Sequence, residues 1–381
     1  MEHIRYAVTV DPVPAQSSTY GVPSSVSDPV RKPASRSHDA SNNQKRTDPF
    51  QFGSRYLEEG DDVFEFNAWD HVETDDTYKE FAELQYARQR ESPVSDFDKT
   101  RFNNDPAKWW NLFYKNNTNN FFKNRKWLFQ EFPILAEFTK KEAGPAVLLE
   151  VGAGAGNTAF PVLALNENPS LKIHACDFSK TAVQVIRENE SYDNGKMIQA
   201  DVWDVAGTGE QSLPPGIEPG SVDVVLMIFI FSALAPAQWD QAVRNIWRAL
   251  KPGGHVLFRD YGRGDLAQVR FKKGRYLDEN FYVRGDGTRV YFFEKEELEK
   301  IWGGMHGEKT TDAEDASSGN ATENDQENLE AKHIGVDRRM LVNRQRKLKM
   351  YRCWMQAVFQ KPAADAQTAE PEAATTELSE S

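Results

Sequence analysis

The chain has 381 residues, a formal net charge of −12 and 39% hydrophobic residues. That length holds two domains or one large domain with tails. Two cysteines, Cys176 and Cys353, are too few for a disulfide framework or a Cys-rich metal site, and no metal-ligand spacing appears. No apolar run approaches the roughly twenty residues that span a bilayer, and the N-terminus lacks a signal-peptide apolar core. A reducing, cytoplasmic setting with no membrane partner is expected. The negative charge is local: residues 307–330 hold eight acids and one Lys, and residues 362–381 hold five acids and no base. These two segments carry the whole net charge, so an anionic substrate is not excluded.

Residues 1–50 are rich in Ser, Pro, Asn and Asp with almost no periodicity, and a disordered tail is expected over 1–60. Phe64 to Val72 is the first apolar cluster and reads as an arm packed on the core. Thr77 to Arg90 reads as an amphipathic helix with Tyr78, Phe81, Leu84 and Ala87 at helical spacing. Aromatics and bases then alternate: residues 99–126 contain seven Lys/Arg and a single acid, Asp105. Either these are helices whose aromatics pack on a sheet while the bases face water, or they form a lid over a ligand with an RNA-facing surface. With the arm they make an N-terminal extension over 61–145.

From residue 146 the pattern alternates strands and helices. Val147 to Val151 is an apolar run that ends in a turn with Gly152, Gly154 and Gly156, and Thr158 to Leu165 begins a helix. Lys172 to Cys176 is a second strand ending at Asp177, with Ser179 as N-cap of a helix over Thr181–Asn189. Met197 to Ala200 is a third, ending at Asp201. Val222 to Phe229 is apolar throughout and therefore central. A helix over Trp239–Leu250 stops at Lys251-Pro252-Gly253-Gly254, and His255 to Arg259 is the fifth strand. Tyr282 to Phe293 reads as a hairpin about Gly285-Asp286-Gly287, followed by a helix over Glu294–Trp302. After an acidic, disordered insertion at 303–331, Val336–Val342 and Tyr351–Phe359 read as two more strands. The expected architecture is α/β: a Rossmann-like, seven-stranded, mostly parallel sheet with helices on both faces, built from 146–302 and 332–361. A disordered acidic tail is expected at 362–381.

The glycine turn decides the ligand class. A dinucleotide fingerprint needs Gly at the sixth position from Gly152, where Asn157 stands, and no P-loop Gly-Lys-Ser/Thr follows. The remaining pattern, acid-x-Gly-x-Gly-x-Gly from Glu150, resembles motif I of class I S-adenosylmethionine (SAM) methyltransferases. Ligands of open α/β sheets bind beyond the carboxyl ends of the strands, where Glu150, Asp177 and Asp201 fall. Asp177 is placed to accept from ribose hydroxyls and Asp201 from the adenine amino group. The Asn/Asp-Pro-Pro-Tyr/Phe run of amino-group methyltransferases is absent after the fourth strand, which reads Met227-Ile228-Phe229-Ile230-Phe231. A ring nitrogen with a free in-plane lone pair, such as cytosine N3, needs no such run and no general base.

Trp110-x3-Tyr114, Phe121-Phe122-Lys-x-Arg-x-Trp127, Glu150-Val-Gly-x-Gly-x-Gly-Asn157, Ala175-Cys-Asp-Phe-Ser179, Arg259-Asp-Tyr-Gly262 and Asn280-Phe-Tyr-Val-Arg-x-Asp-Gly-Thr-Arg289 together resemble the tRNA N3-methylcytidine methyltransferase family. The arm Asn67-Ala-Trp-Asp-His-Val72 is similar to the branch acting on threonine tRNAs. The resemblance covers roughly 62–302 and 335–361. It implies a SAM-dependent enzyme methylating cytidine 32 of threonine tRNAs, with serine and arginine tRNAs taken by other branches. An aminoacyl-tRNA synthetase or another tRNA-binding protein is a candidate partner. It further implies cofactor contacts at Trp110, Tyr114, Gly152, Asp177, Asp201 and Ile228, to which the turn adds Glu150, Gly154 and Gly156.

Three basic patches fit a polyanion. Lys123, Arg125 and Lys126 lie in the first. Arg270, Lys272, Lys273, Arg284 and Arg289 lie in the second, beside Arg263 and Arg275. Residues 338–352 form the third, with seven Lys/Arg and no acid. Arg259 and Asp260, at the end of the fifth strand, are candidates for positioning the base or else pair with each other. The competing readings are a SAM-dependent protein or small-molecule methyltransferase and a non-catalytic SAM-fold subunit that only binds tRNA.

Overall fold

The computed structural model describes residues 55–193, 195–303 and 328–363. Most of the expected tails at 1–60 and 362–381, and residues 304–327 of the expected insertion, lie outside the described residues.

The chain enters through a short strand, β1 (Ala68–Asp70), and three helices, α1 (Asp76–Arg90), α2 (Asp96–Asn104) and α3 (Pro106–Asn117). Two single-turn helices, α4 (Leu128–Glu131) and α5 (Leu135–Thr139), lead into the core. There β2 (Ala146–Val151), α6 (Ala159–Ala164), β3 (Leu171–Asp177), α7 (Lys180–Arg187), β4 (Ile198–Val202), β5 (Val222–Ile228), α8 (Trp239–Ala249) and β6 (Leu250–Tyr261) follow in order. Then come α9 (Leu266–Val269), a small sheet of β7 (Tyr276–Asp278), β8 (Phe281–Val283) and β9 (Arg289–Tyr291), and α10 (Lys295–Gly303). The hairpin β10 (Glu330–Asn343) and β11 (Leu348–Gln360) closes the chain.

β2 to β6 are parallel, and β11 and β10 add antiparallel strands beyond β6, which makes the seven strands expected. The arm supplies an eighth. β1 pairs antiparallel with β10, Trp69 opposite Met340, giving the order β1-β10-β11-β6-β5-β2-β3-β4. Trp69 is buried, and Asp70 sits 3.1 Å from the Arg339 Nε. β10 starts at Glu330, earlier than the expected Val336, with Leu329 already buried in the core.

Alternate residues of the central strands feed two apolar layers. Leu149, Val151, Val225, Met227, Val256 and Phe258 face α8 and α10, while Leu148, Val224, Leu226 and Leu257 face the layer that holds α4 to α7. Burial on both faces is why these strands read as unbroken apolar runs. The one acid inside β5, Asp223, accepts from the Val147 N–H and from Lys251, each at 2.7 Å.

One expected face is different. α1 buries Ala82, Tyr86 and Gln89, while Leu84 is exposed. Gln89 and Tyr86 bond Gln268, and the Tyr282 hydroxyl donates to Gln89, so a polar network orients this helix where the apolar spacing had suggested Leu84.

β2 lies between β3 and β5. The chain therefore leaves it in opposite directions, and a crevice opens beyond the carboxyl ends of these strands.

Candidate active site

That crevice is a cleft open to solvent. Its floor is the turn after β2. Gly154 has a φ of +59°, and a Cβ there would stand 2.4 Å from the Tyr114 hydroxyl, so the turn needs a glycine both for its backbone and for its contact with α3. Its wall is α3, capped by Asp105 and docked on the start of α7: Asn111 Oδ1 accepts from the Ser179 hydroxyl at 2.9 Å and from the Thr181 N–H at 3.1 Å. α3 thereby holds Trp110 and Tyr114 over the turn.

Seven of the nine expected cofactor residues line this cleft: Trp110, Tyr114, Glu150, Gly152, Gly154, Asp177 and Ile228. Gly156 closes the turn beneath it and does not line it. Asp201 does not line it either. Its carboxylate accepts from Arg187 at 3.0 Å and from Gln199, inside the α7–β4 layer, and the acid that lines the cleft is Asp204.

Burial sets the electrostatics of the two central acids. Asp177 accepts the Gly154 N–H and the Ser179 N–H, each at 2.8 Å, yet desolvation pushes its pKa up to about 6. Glu150 is more deeply buried, and desolvation raises it from 4.5 to about 8 against the opposing hydrogen bonds of Thr158 and Ala159. Its Oε2 has no hydrogen-bond partner. A buried acid with an unused oxygen at a glycine turn suits a ligand bearing positive charge, so the residues present fit the sulfonium and amino groups of SAM.

The cleft takes two residues assigned from sequence to the RNA surface. Arg125 lies with its guanidinium 5.7 Å from the Phe122 ring centre and 5.4 Å from that of Phe229, and its Nε has no partner. Phe229 itself has a φ of +60°, a conformation rare for an aromatic residue, directly after β5. Arg289 also lines the cleft, is buried, and is not part of an outer basic surface. Sequence reasoning missed both because their positions depend on loops that cross the crevice. The usable signals were Arg125 lying two residues before Trp127 in an aromatic run, and Arg289 standing inside an apolar strand.

Arg259 and Asp260 do not pair with each other, and neither lines the cleft. Arg259 bonds Asp337 at 2.8 Å and also Gln356, and its guanidinium lies between the rings of Trp127 and Trp354 at 5.3 and 5.2 Å. Asp260 is buried, accepts the Ser232 and Tyr261 N–H groups, and is raised to about 6 by desolvation. Both tie β6 to its neighbours.

Of the remaining bases, Lys123, Lys126, Lys272 and Lys273 are exposed and Arg270 is half-buried. Arg284 folds over Tyr261 and donates to the Arg289 carbonyl. Arg263 is held by Glu83 and Glu294. In the patch at 338–352, Arg338 pairs with Glu73, Arg339 with Asp70, Lys349 with Asp75 and Arg352 with Asp265, so the arm and α9 neutralise much of it. Among the described residues there is no cluster able to hold a metal ion, and no helix is long and apolar enough to cross a membrane.

Residues 149–256 match a family model described as a methyltransferase domain. A tRNA(Thr) (cytosine(32)-N(3))-methyltransferase of Saccharomyces cerevisiae is 52% identical over 314 residues, which is 82% of this chain and 46% of that protein, so the chain spans about half of that relative. A tRNA N(3)-methylcytidine methyltransferase of Schizosaccharomyces pombe is 46% identical over 81% of this chain and 92% of its own length. A tRNA N(3)-cytidine methyltransferase of Homo sapiens is 36% identical over 82% and 94%. The doubly wound sheet, the glycine turn with its buried acids and the matched domain define a class I SAM-dependent methyltransferase. Within that class the chain belongs to the tRNA N3-methylcytidine methyltransferase family.

Proposed function

We propose that this enzyme methylates N3 of cytidine 32 in the anticodon loop of threonine tRNAs, the substrate named for its Saccharomyces relative. Bound SAM supplies an electrophilic methyl group. Neutral cytosine has no proton on N3, so no residue has to remove one; the chain has to unstack the base, align its lone pair and keep water out.

The observation that carries this reading is Arg125 at the cleft, flanked by Phe122 and Phe229, with an Nε donor that no protein group uses. Aromatic rings suit an unstacked base, and the guanidinium suits the cytosine carbonyl oxygen. Lys123 and Lys126 beside it, and Lys272, Lys273 and Arg270 beyond β6, are the proposed phosphate contacts. A tRNA carrying 3-deazacytidine at position 32 tests the reading. It should bind with ordinary affinity and accept no methyl group; methyl transfer to it would place the chemistry on another atom.

An aminoacyl-tRNA synthetase or another tRNA-binding protein is the proposed partner, and serine and arginine tRNAs are the further substrates to assay. The proposed setting is the cytoplasm, to be checked by fractionation of the tagged protein.

A further inference from the structure

The second guanidinium in the cleft has no role in any of this. Arg289 is 4% exposed and sits on β9, far in sequence from the turn. Three of its bonds go to the protein: Nη1 donates to Asn103 Oδ1 at 3.0 Å, and Nη2 to the Ala233 backbone carbonyl at 3.3 Å and to Gln238 Oε1 at 3.2 Å. Its Nε is buried with no acceptor. Burial alone lowers its pKa to about 10, the opposite charge of Asp204 opposing that shift. A buried guanidinium N–H without a partner is costly, and such a group in a cleft wall is an orphan awaiting a ligand acceptor.

The surroundings say which part of a ligand arrives there. Arg289 shares the cleft lining with Phe178, Trp203, Asp204, Leu234 and Gln238. Asp204 is near enough for its charge to act on the guanidinium, and Gln238 accepts from Nη2. Apolar and aromatic side chains thus accompany one carboxylate and one N–H without a partner. A purine that presents an exocyclic amine to an acid and a ring nitrogen to an N–H matches that pair of groups. The guanidinium is also fixed in place. Gly287 in the β8–β9 turn packs flat on Trp109 of α3, where a Cβ would stand 2.2 Å from the ring, so the hairpin carrying Arg289 and the helix carrying Trp110 are locked together. Lysine cannot reproduce the fork that reaches Asn103, Ala233 and Gln238 while leaving one donor over.

We propose that Arg289 reads the adenine of the cofactor, its Nε–H donating to one ring nitrogen, and that it is a specificity-determining residue for cofactor binding. This rests on the assignment of the cleft to SAM. The test is calorimetry on the full chain with S-adenosylhomocysteine and its 1-deaza, 3-deaza and 7-deaza analogues, each lacking one ring nitrogen. One analogue should bind about ten- to hundredfold more weakly than the parent, and that penalty should vanish in Arg289→Met and Arg289→Lys. If the wild-type chain binds all three analogues as tightly as the parent, the proposal is overturned, whether or not either variant folds. It is likewise overturned if the variants weaken parent and analogues by the same factor, which is the signature of a purely structural residue. Failure of S-adenosylhomocysteine itself to bind would instead refute the assignment of the cleft.

Discussion

Asp177 Oδ2 accepts the backbone N–H of Gly154 at 2.8 Å, so the acid that ends β3 braces the glycine turn that follows β2. One carboxylate thus shapes the floor of the cleft and lines it. Asp177→Ala should weaken S-adenosylhomocysteine binding by about 1–3 kcal/mol and lower the melting temperature as well. Calorimetry and thermal unfolding check this; lost affinity with an unchanged melt would show that the brace contributes nothing to the fold.

Glu150 predicts a proton linkage. Its folded pKa of about 8 lies above the ordinary 4.5, so between those values the folded chain holds a proton that the unfolded chain releases. Its contribution to stability is therefore present at low pH and is lost as pH rises toward 8. A cationic ligand favours the carboxylate. SAM binding near neutral pH should expel a proton, and its heat should vary with the ionisation enthalpy of the buffer. Glu150→Gln should abolish that variation, and buffer-independent heats for the wild type would contradict it.

Arg259 is predicted to matter for stability. Truncation to Ala leaves Asp337 buried with its closest cation gone and empties the space between Trp127 and Trp354. A loss of about 3 kcal/mol is expected in denaturant unfolding. An Arg259→Ala chain that melts like wild type but no longer methylates tRNA would return this residue to the base.

Arg125→Ala should lower methyl transfer at least about tenfold, the scale of one lost charge-assisted bond, with S-adenosylhomocysteine affinity changed little. Equal losses of both would make Arg125 a cofactor residue.

Lys272→Glu with Lys273→Glu should weaken tRNA binding and flatten its dependence on salt, because about two phosphate contacts are lost. Binding measured across a salt series checks this. An unaltered slope would shift attention to Lys123 and Lys126, since Arg338, Arg339, Lys349 and Arg352 already have acidic partners.

The sheet was legible because strands buried on both faces announce themselves as apolar runs, and the turn because its glycines Gly152, Gly154 and Gly156 sit where a carbon would collide with Ile230, Tyr114 and Phe160 respectively. The fate of Arg259 was not legible: its partners Asp337 and Gln356 lie 78 and 97 residues away, on strands that only the assembled sheet brings alongside. That Asp201 stands outside the cleft lining was not legible either: β4 runs through Val202, the acid accepts from Arg187, and Asp204 lines the cleft. Arg289 read as a surface base because sequence spacing does not show that its hairpin folds over the crevice.

The most direct measurement is nucleoside mass spectrometry of threonine tRNA, drawn from cells lacking this activity and incubated with the full chain and SAM. N3-methylcytidine should appear at position 32, and form more slowly with Asp177→Ala at limiting SAM. Methyl groups on another nucleoside, or none in tRNA that the chain demonstrably binds alongside SAM, would contradict the assignment.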